Sequence, residues 1–136
     1  MFGKPDIQKL QAENNWKKLG HLLDAKDERI RREATKALVV LMDKCSSLSD
    51  RIKITEVFQG KNARGIVEEL VACVKPGSAY PLVQIDLCWA IYWAGGEDPL
   101  VELIDNTQTD DAIWHSRMLM VLNDARKSSQ QKSRGG

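Results

Sequence analysis

The sequence lacks the features of an exported, membrane-spanning or disulfide-rich protein. The longest apolar clusters, residues 37–42 and 87–94, are far shorter than the roughly 20 residues that a membrane span requires. The first residues include charged side chains and no apolar stretch of the kind found in signal peptides. The cysteines Cys45, Cys73 and Cys88 are odd in number and widely spaced, which argues against a disulfide framework. These absences predict a protein of the reducing cytoplasm that does not enter a membrane.

Charge of one sign is also lacking, which limits the partners that electrostatics alone would attract. The 136 residues include 20 Lys and Arg and 19 Asp and Glu, for a net charge of +1. Four of the basic residues lie in the last eleven positions, where no acid occurs, so residues 1–125 carry a net charge of −3. A negatively charged body disfavours the phosphate backbone of nucleic acids. We therefore expect one folded domain that does not bind nucleic acid.

No pattern typical of a catalytic centre or a metal site is present. The two histidines, His21 and His115, are far apart in the sequence and match no metal-binding or catalytic spacing. Adjacent acidic pairs such as Glu68-Glu69 are poorly arranged for acid–base catalysis, because neighbouring residues on a helix point in different directions. The cysteines form no CxxC pair, and no glycine-rich phosphate loop occurs. The sequence predicts a non-enzymatic protein without a cofactor or a bound metal.

What the sequence does contain is helical periodicity along almost its whole length, which predicts an all-α fold. We expect helices over residues 5–13, 15–24, 27–42, 63–74, 80–94, 98–104 and 109–127. Residues 43–62 are less clear, because Ile52 and Ile54 alternate as in a strand. A lone strand would have no hydrogen-bonding partner, so a helix over 51–58 is favoured. Residues 128–136 are rich in polar and basic side chains and are predicted to form a disordered tail.

Three of the predicted helices share one apolar pattern, which indicates an internal repeat. Its aligned members are Ile30, Ala34, Ala37, Leu38 and Leu41; Val83, Leu87, Ala90, Ile91 and Ala94; and Trp114, Met118, Val121, Leu122 and Ala125. The patterns start 53 and 31 residues apart, and the shorter offset is a plausible length for a two-helix repeat. The longer offset equals one repeat plus roughly twenty residues. A shorter amphipathic helix precedes each pattern, and stacked helix pairs would share a continuous core.

The first helix pair resembles a HEAT or HEAT-like repeat. Residues 19–38 combine an apolar first helix, Asp27 in the turn, the dipeptide Ile30-Arg31 and an alanine-rich second helix. Residues 2–7 are also similar to the start of small microbial HEAT-repeat proteins. The later repeats have Gln84 and His115 at the positions that correspond to the arginine.

This resemblance implies a fold and a class of function. It implies that residues 1–127 form a single domain, a short α-solenoid of about three antiparallel helix pairs with a right-handed superhelical twist. It also implies a scaffold that binds a protein or peptide on its concave face. An enzyme-related protein of the chromophore-lyase or DNA-glycosylase type and a self-associating structural unit are the alternatives.

The predicted binding residues follow from the same resemblance, since the second helix of each HEAT-like repeat lines the concave side. The outward positions of the first such helix are mainly polar and include Arg32 and Lys36, whereas the later repeats have Trp89, Trp93 and Met120 there. Large aromatic residues at exposed positions are typical interface anchors, and the two cations would supply a polar rim. Alternatively, both tryptophans pack into the core, because their helix is apolar nearly all round.

Overall fold

The computed structural model describes residues 5–135, with side chains described for residues 5–130. Residues 2–4, part of the segment that resembles microbial HEAT-repeat proteins, lie outside this range. Within it the secondary structure is helical and contains no strand, which confirms the all-α prediction. The helices are α1 (Ile7–Ala12), α2 (Trp16–Leu22), α3 (Glu28–Lys44), α4 (Leu48–Glu56), α5 (Ile66–Cys73), α6 (Gln84–Gly95), α7 (Glu97–Asn106) and α8 (Ala112–Gly135). A 3₁₀ turn, Pro81–Val83, precedes α6. No helix in the described range is long and apolar enough to cross a bilayer.

Capping side chains determine where the first four helices begin. Asp6, Asn15, Asp27 and Ser47 each precede a helix and accept a hydrogen bond from a backbone amide of its first turn. Such caps satisfy amide groups that have no partner within the helix. The cap at Ser47 starts α4, so the ambiguous segment is a helix and the preference for a helix over 51–58 is confirmed.

Helix α5 begins three residues later than predicted because of Gly65. This residue has a φ of 101°, a conformation that favours glycine. A Cβ atom there would lie 2.8 Å from Cγ of Arg32, so the glycine also permits close approach of α3. The carboxylate of Glu68 accepts a hydrogen bond from the Gly65 amide at 2.9 Å. The turn therefore ends beside α3, and α5 starts at Ile66.

The first residue of α7 and the last residue of α8 differ from the predictions. Gly96, with a φ of 84°, precedes α7, so Asp98 and Pro99 lie inside the first turn instead of capping it. Helix α8 continues to Gly135, whereas a helix end near residue 127 and a disordered tail over 128–136 were expected. The added residues include no proline and are of types that a helix tolerates. They extend α8 beyond Ala125, which is the last buried residue of α8 among those whose side chains are described, and residue 136 lies outside the described range.

Several of the main packing contacts join helices that follow one another along the chain. Helix α2 packs against α3, α5 against α6, and α7 against α8. Neighbouring pairs meet through contacts of α3 with α5 and of α6 with both α7 and α8. All of the aligned pattern positions are buried except Ile30, which is half-buried. The predicted core positions of the pattern are therefore confirmed.

Helices α6 and α8 run parallel and nearly in register. Nε1 of Trp114 lies 3.5 Å from Oε1 of Gln84, and the sulfur atoms of Cys88 and Met118 are 3.0 Å apart. In both contacts the partners are thirty residues apart in the sequence, close to the offset of 31 between the two apolar patterns. Equivalent positions of these two helices therefore meet in space.

The roughly twenty additional residues before α5 contain a further helix, α4, which lies between α3 and α5 along the chain. Helix α4 packs against both α3 and α6, and it buries Ile54 and, just beyond its end, Phe58. The amide of Gly60 donates a hydrogen bond of 3.1 Å to the carbonyl oxygen of Trp93, which attaches the following turn to α6. The longer spacing between the first two patterns thus corresponds to a helix inserted beside α6.

Candidate functional site

Arg32 and Lys36 lie on the side of α3 that faces α5. Nη1 of Arg32 is 3.1 Å from one carboxylate oxygen of Glu69, and Nζ of Lys36 is 3.9 Å from the other. Nε of Arg32 also binds Glu28 at 3.1 Å. Hydrogen bonds to Glu28 and Glu69 raise the pKa of the Arg32 guanidinium, so the ion pairs favour its charged form. These two predicted rim residues therefore connect α3 to α5.

Trp89 and Trp93 lie together on α6, and both are half-buried. Their ring centroids are 5.9 Å apart, and the ring of Tyr92 meets Trp89 edge-on at 6.1 Å. Trp89 and Tyr92 also pack against buried core residues. Trp89 therefore combines contact with the buried core and an accessible surface, and the half-buried Trp93 packs beside it, an arrangement typical of amphipathic interface residues.

Large exposed apolar side chains are concentrated on the elements that surround α6. Within the side chains described, the exposed large hydrophobic residues are Leu48, Ile52, Leu82, Ile113, Leu119 and Met120. They belong to α4, the 3₁₀ turn and α8, and each of these elements packs against α6. We use the name α6 face for these six residues together with Trp89 and Trp93, a set defined by its location on α6 and on the elements that pack against α6.

The structure thus divides the five predicted binding residues into two groups. Trp89, Trp93 and Met120 belong to the α6 face, whereas Arg32 and Lys36 are joined by Glu69 at the boundary between α3 and α5. The sequence predictions missed Leu119 and four further residues, Leu48, Ile52, Leu82 and Ile113. These four residues fall outside the shared repeat pattern. Their apolar character close to the starts of α4, the 3₁₀ turn and α8 was therefore the only signal for them in the sequence.

A cavity of about 230 Å³ opens at one end of the α6 face. It lies between the turn after α5, the 3₁₀ turn and the start of α8, and its walls include Leu82, Ile113 and Arg117. Trp114 and Met118, both buried, also line it. The cavity therefore combines an apolar surface with a cationic side chain at its mouth.

The buried thiol groups are held in their protonated form. Burial raises the pKa of the Cys88 thiol to about 12, and burial is also the main cause of a raised pKa at Cys73. A thiol of raised pKa is a weak nucleophile at neutral pH. Among the described residues, no group of three or more His, Cys, Asp or Glu side chains is arranged to hold a metal ion.

One acidic residue of α6 is also partly withdrawn from solvent. Burial raises the pKa of the Asp86 carboxyl, and the nearby charge of Arg51 opposes this rise. Arg51 also donates a hydrogen bond of 3.1 Å from Nη2 to the carbonyl oxygen of Cys45. The Arg51 guanidinium therefore binds the turn before α4 and also interacts electrostatically with Asp86 of α6.

Comparison of the chain with family models, with curated proteins and with solved structures found no match. The resemblance of residues 19–38 to a HEAT-like repeat stays a prediction. The α6 face and the cavity at its end are the candidate binding features of the molecule. Both consist mainly of apolar side chains with a small number of charged neighbours, a composition suited to binding.

Proposed function

We propose that the chain is a non-catalytic helical-repeat module that binds a protein or peptide on the α6 face. The observation that carries this proposal is the segregation of the large exposed apolar side chains to elements around α6. Extended apolar patches on folded proteins commonly mark interaction sites. The half-buried tryptophans would act as anchors, because rigid aromatic side chains contribute a large contact area at a low entropic cost.

We also propose that the three helix pairs are HEAT-like repeats of a short, right-handed α-solenoid. The burial of the aligned positions and the register of α6 with α8 support this arrangement. Helix α4 is then an insertion that occupies the position beside α6 where α3 would otherwise pack. In this arrangement the α6 face belongs to the concave side, and Arg32 and Lys36 lie towards its edge.

Site-specific photo-crosslinking in extracts of the native cells tests the proposed function. A photoreactive phenylalanine analogue replaces Met120 on the α6 face, and in a matched control it replaces Glu102, which is exposed on α7. We expect protein adducts at position 120 and not at position 102. We also expect Leu119→Asp to abolish these adducts while the circular dichroism of the chain is unchanged.

Three results would distinguish the alternatives. Equal labelling at the two positions would contradict a specific binding face. Adducts with twice the mass of the chain would instead identify a second copy as the partner, in agreement with a self-associating structural unit. Adducts with DNA would favour the glycosylase-like alternative over protein binding.

A further inference from the structure

The cavity at the end of the α6 face has the size and composition of a pocket for one large apolar side chain. Leu82 and Ile113, which are 71% and 67% exposed, belong to its walls. Its volume is about 230 Å³, and an apolar cavity of roughly 150 Å³ in another protein accommodates benzene. Two unusually exposed apolar side chains therefore flank a space that a ligand side chain could fill.

The buried polar side chain of the cavity, Gln84, already has hydrogen-bonding partners. Nε2 of Gln84 donates hydrogen bonds to the carbonyl oxygens of Cys73 and Tyr80, at 3.0 and 2.8 Å. Its Oε1 accepts a hydrogen bond of 3.0 Å from the amide of Lys75. An apolar side chain that enters the cavity would therefore leave no buried hydrogen-bonding group of Gln84 without a partner, so desolvation there costs little.

The charges at the mouth of the cavity favour an anionic ligand. Lys75 and Arg117 line the cavity, and neither forms a salt bridge with another residue in the described part of the chain. The acidic side chain there, Asp111, already accepts a hydrogen bond of 3.0 Å from the amide of Trp114.

We propose that this cavity binds an acidic peptide segment, whose large apolar side chain fills the space between Leu82 and Ile113 and whose carboxylates pair with Arg117 and Lys75. This inference rests on the proposed function and specifies the chemistry of the partner. Arginine at the mouth can bind a carboxylate through two parallel hydrogen bonds. A protruding side chain fills a cavity, which the smooth surface of an anionic membrane cannot do, so the shape favours a peptide over a bilayer.

Fluorescence anisotropy with labelled synthetic peptides tests the proposal on the full chain. The probes are an amphipathic peptide of Glu and Leu, a peptide with Lys in place of Glu, and a peptide with Ala in place of Leu. We expect binding of the Glu–Leu peptide alone, with an affinity that decreases as salt is added. Vesicles of anionic phospholipid form a separate arm and should not bind.

Matched variants locate the peptide. Arg117→Glu and the pair Leu82→Ser with Ile113→Ser should each weaken binding of the Glu–Leu peptide about tenfold or more, equivalent to a loss of about 1.4 kcal/mol. Lys26→Glu makes the same charge change in the turn between α2 and α3, and Ala72→Ser replaces an exposed apolar side chain of α5, outside the α6 face. These two controls should change the affinity by about twofold or less.

Several outcomes would overturn the inference without affecting the proposed function. Equal or stronger binding of the Lys–Leu peptide would contradict the charge argument, and equal losses in the controls would contradict the location. Binding of the vesicles without binding of any peptide would identify a membrane ligand. If no peptide binds while photo-adducts still form at position 120, the module has a partner of different chemistry.

Discussion

Helices α3 and α6 share the same buried pattern and differ in the face that they turn outward. In α3 the outward positions include Arg32 and Lys36, which pair with Glu69 across the contact with α5. In α6 the corresponding surface includes Trp89 and Trp93, whose rings pack on each other and remain half-exposed. Packing between helices therefore requires apolar residues at the buried positions of both helices. The outward positions are less constrained, and they carry ion-pairing residues in α3 and aromatic residues in α6.

A second comparison concerns the residue that follows the first position of the pattern in each helix, Arg31 in α3 and Gln84 in α6. Arg31 of α3 donates hydrogen bonds to the carbonyl oxygens of Ala25, Lys26 and Arg64, at 2.9, 2.9 and 3.0 Å. Gln84 occupies the aligned position of α6, binds backbone atoms of the turn before its own helix, and contacts α8. Two different side chains thus connect a turn to the following pair, so the absence of an arginine does not remove this link.

The largest expected effect compares the outward faces of the two helices. Trp89→Ala combined with Trp93→Ala should lower the free energy of unfolding by about 4 kcal/mol, roughly half the cost of truncating two fully buried aromatic residues. Arg32→Ala with Lys36→Ala should lower it by about 1 kcal/mol, because partly exposed ion pairs contribute little. Urea denaturation measures both. Equal losses would contradict the distinction between an apolar and an ionic face.

The next effect concerns the residues that anchor the turns. Gln84→Leu should lower the free energy of unfolding by about 3 kcal/mol, because buried backbone groups that bind Gln84 lose their partners. Arg31→Leu should cost less, about 1 to 2 kcal/mol, because its site is more exposed and water can replace part of the lost bonds. Thermal unfolding of the two variants provides the measurement. The reverse order would show that burial does not govern the strength of these links.

A smaller effect tests the packing of the first pair against that of the second. Ala34 is fully buried, and Leu87 stands at the aligned position of α6. Ala34→Leu should overpack the contact between α2 and α3 and cost about 2 kcal/mol. Ala72→Leu, at an exposed position of α5, should change the stability by about 0.5 kcal/mol or less. If both substitutions leave the free energy of unfolding unchanged in chemical denaturation, the contact between α2 and α3 has enough unfilled volume around Ala34 for a leucine side chain.

The smallest effect is a dependence on pH. Burial raises the pKa of Asp86 above its ordinary 3.8, so the folded state binds this proton more tightly than the unfolded chain. The contribution of Asp86 to stability therefore decreases as the pH rises from 3.8 through its folded pKa, and stays constant above it. Asp86→Asn should consequently gain stability relative to the parent across that window.

Local sequence signals predicted most of the helices and part of the candidate site. Capping residues such as Asp27 and Ser47 act on amides within two or three positions, so their effect can be read along the chain. The predicted end of α8 near residue 127 was based on the polar composition of the following residues. Because no helix-breaking residue occurs before Gly135, α8 continues beyond that point. Trp89, Trp93 and Met120 were predicted through the repeat alignment, whereas Glu69, the partner of Arg32 on another helix, left no local signal.

Helical periodicity and the positions of apolar side chains are local properties, so the amino-acid sequence indicates both the amphipathic helices and the residues that they bury. How those helices meet is visible only in the three-dimensional structure. It placed α4 beside α6, joined Arg32 to Glu69, and brought Leu82 and Ile113 to the walls of one cavity. Such contacts connect residues about thirty or more positions apart, and they depend on the distances and angles between packed helices, which a pattern along the chain does not specify.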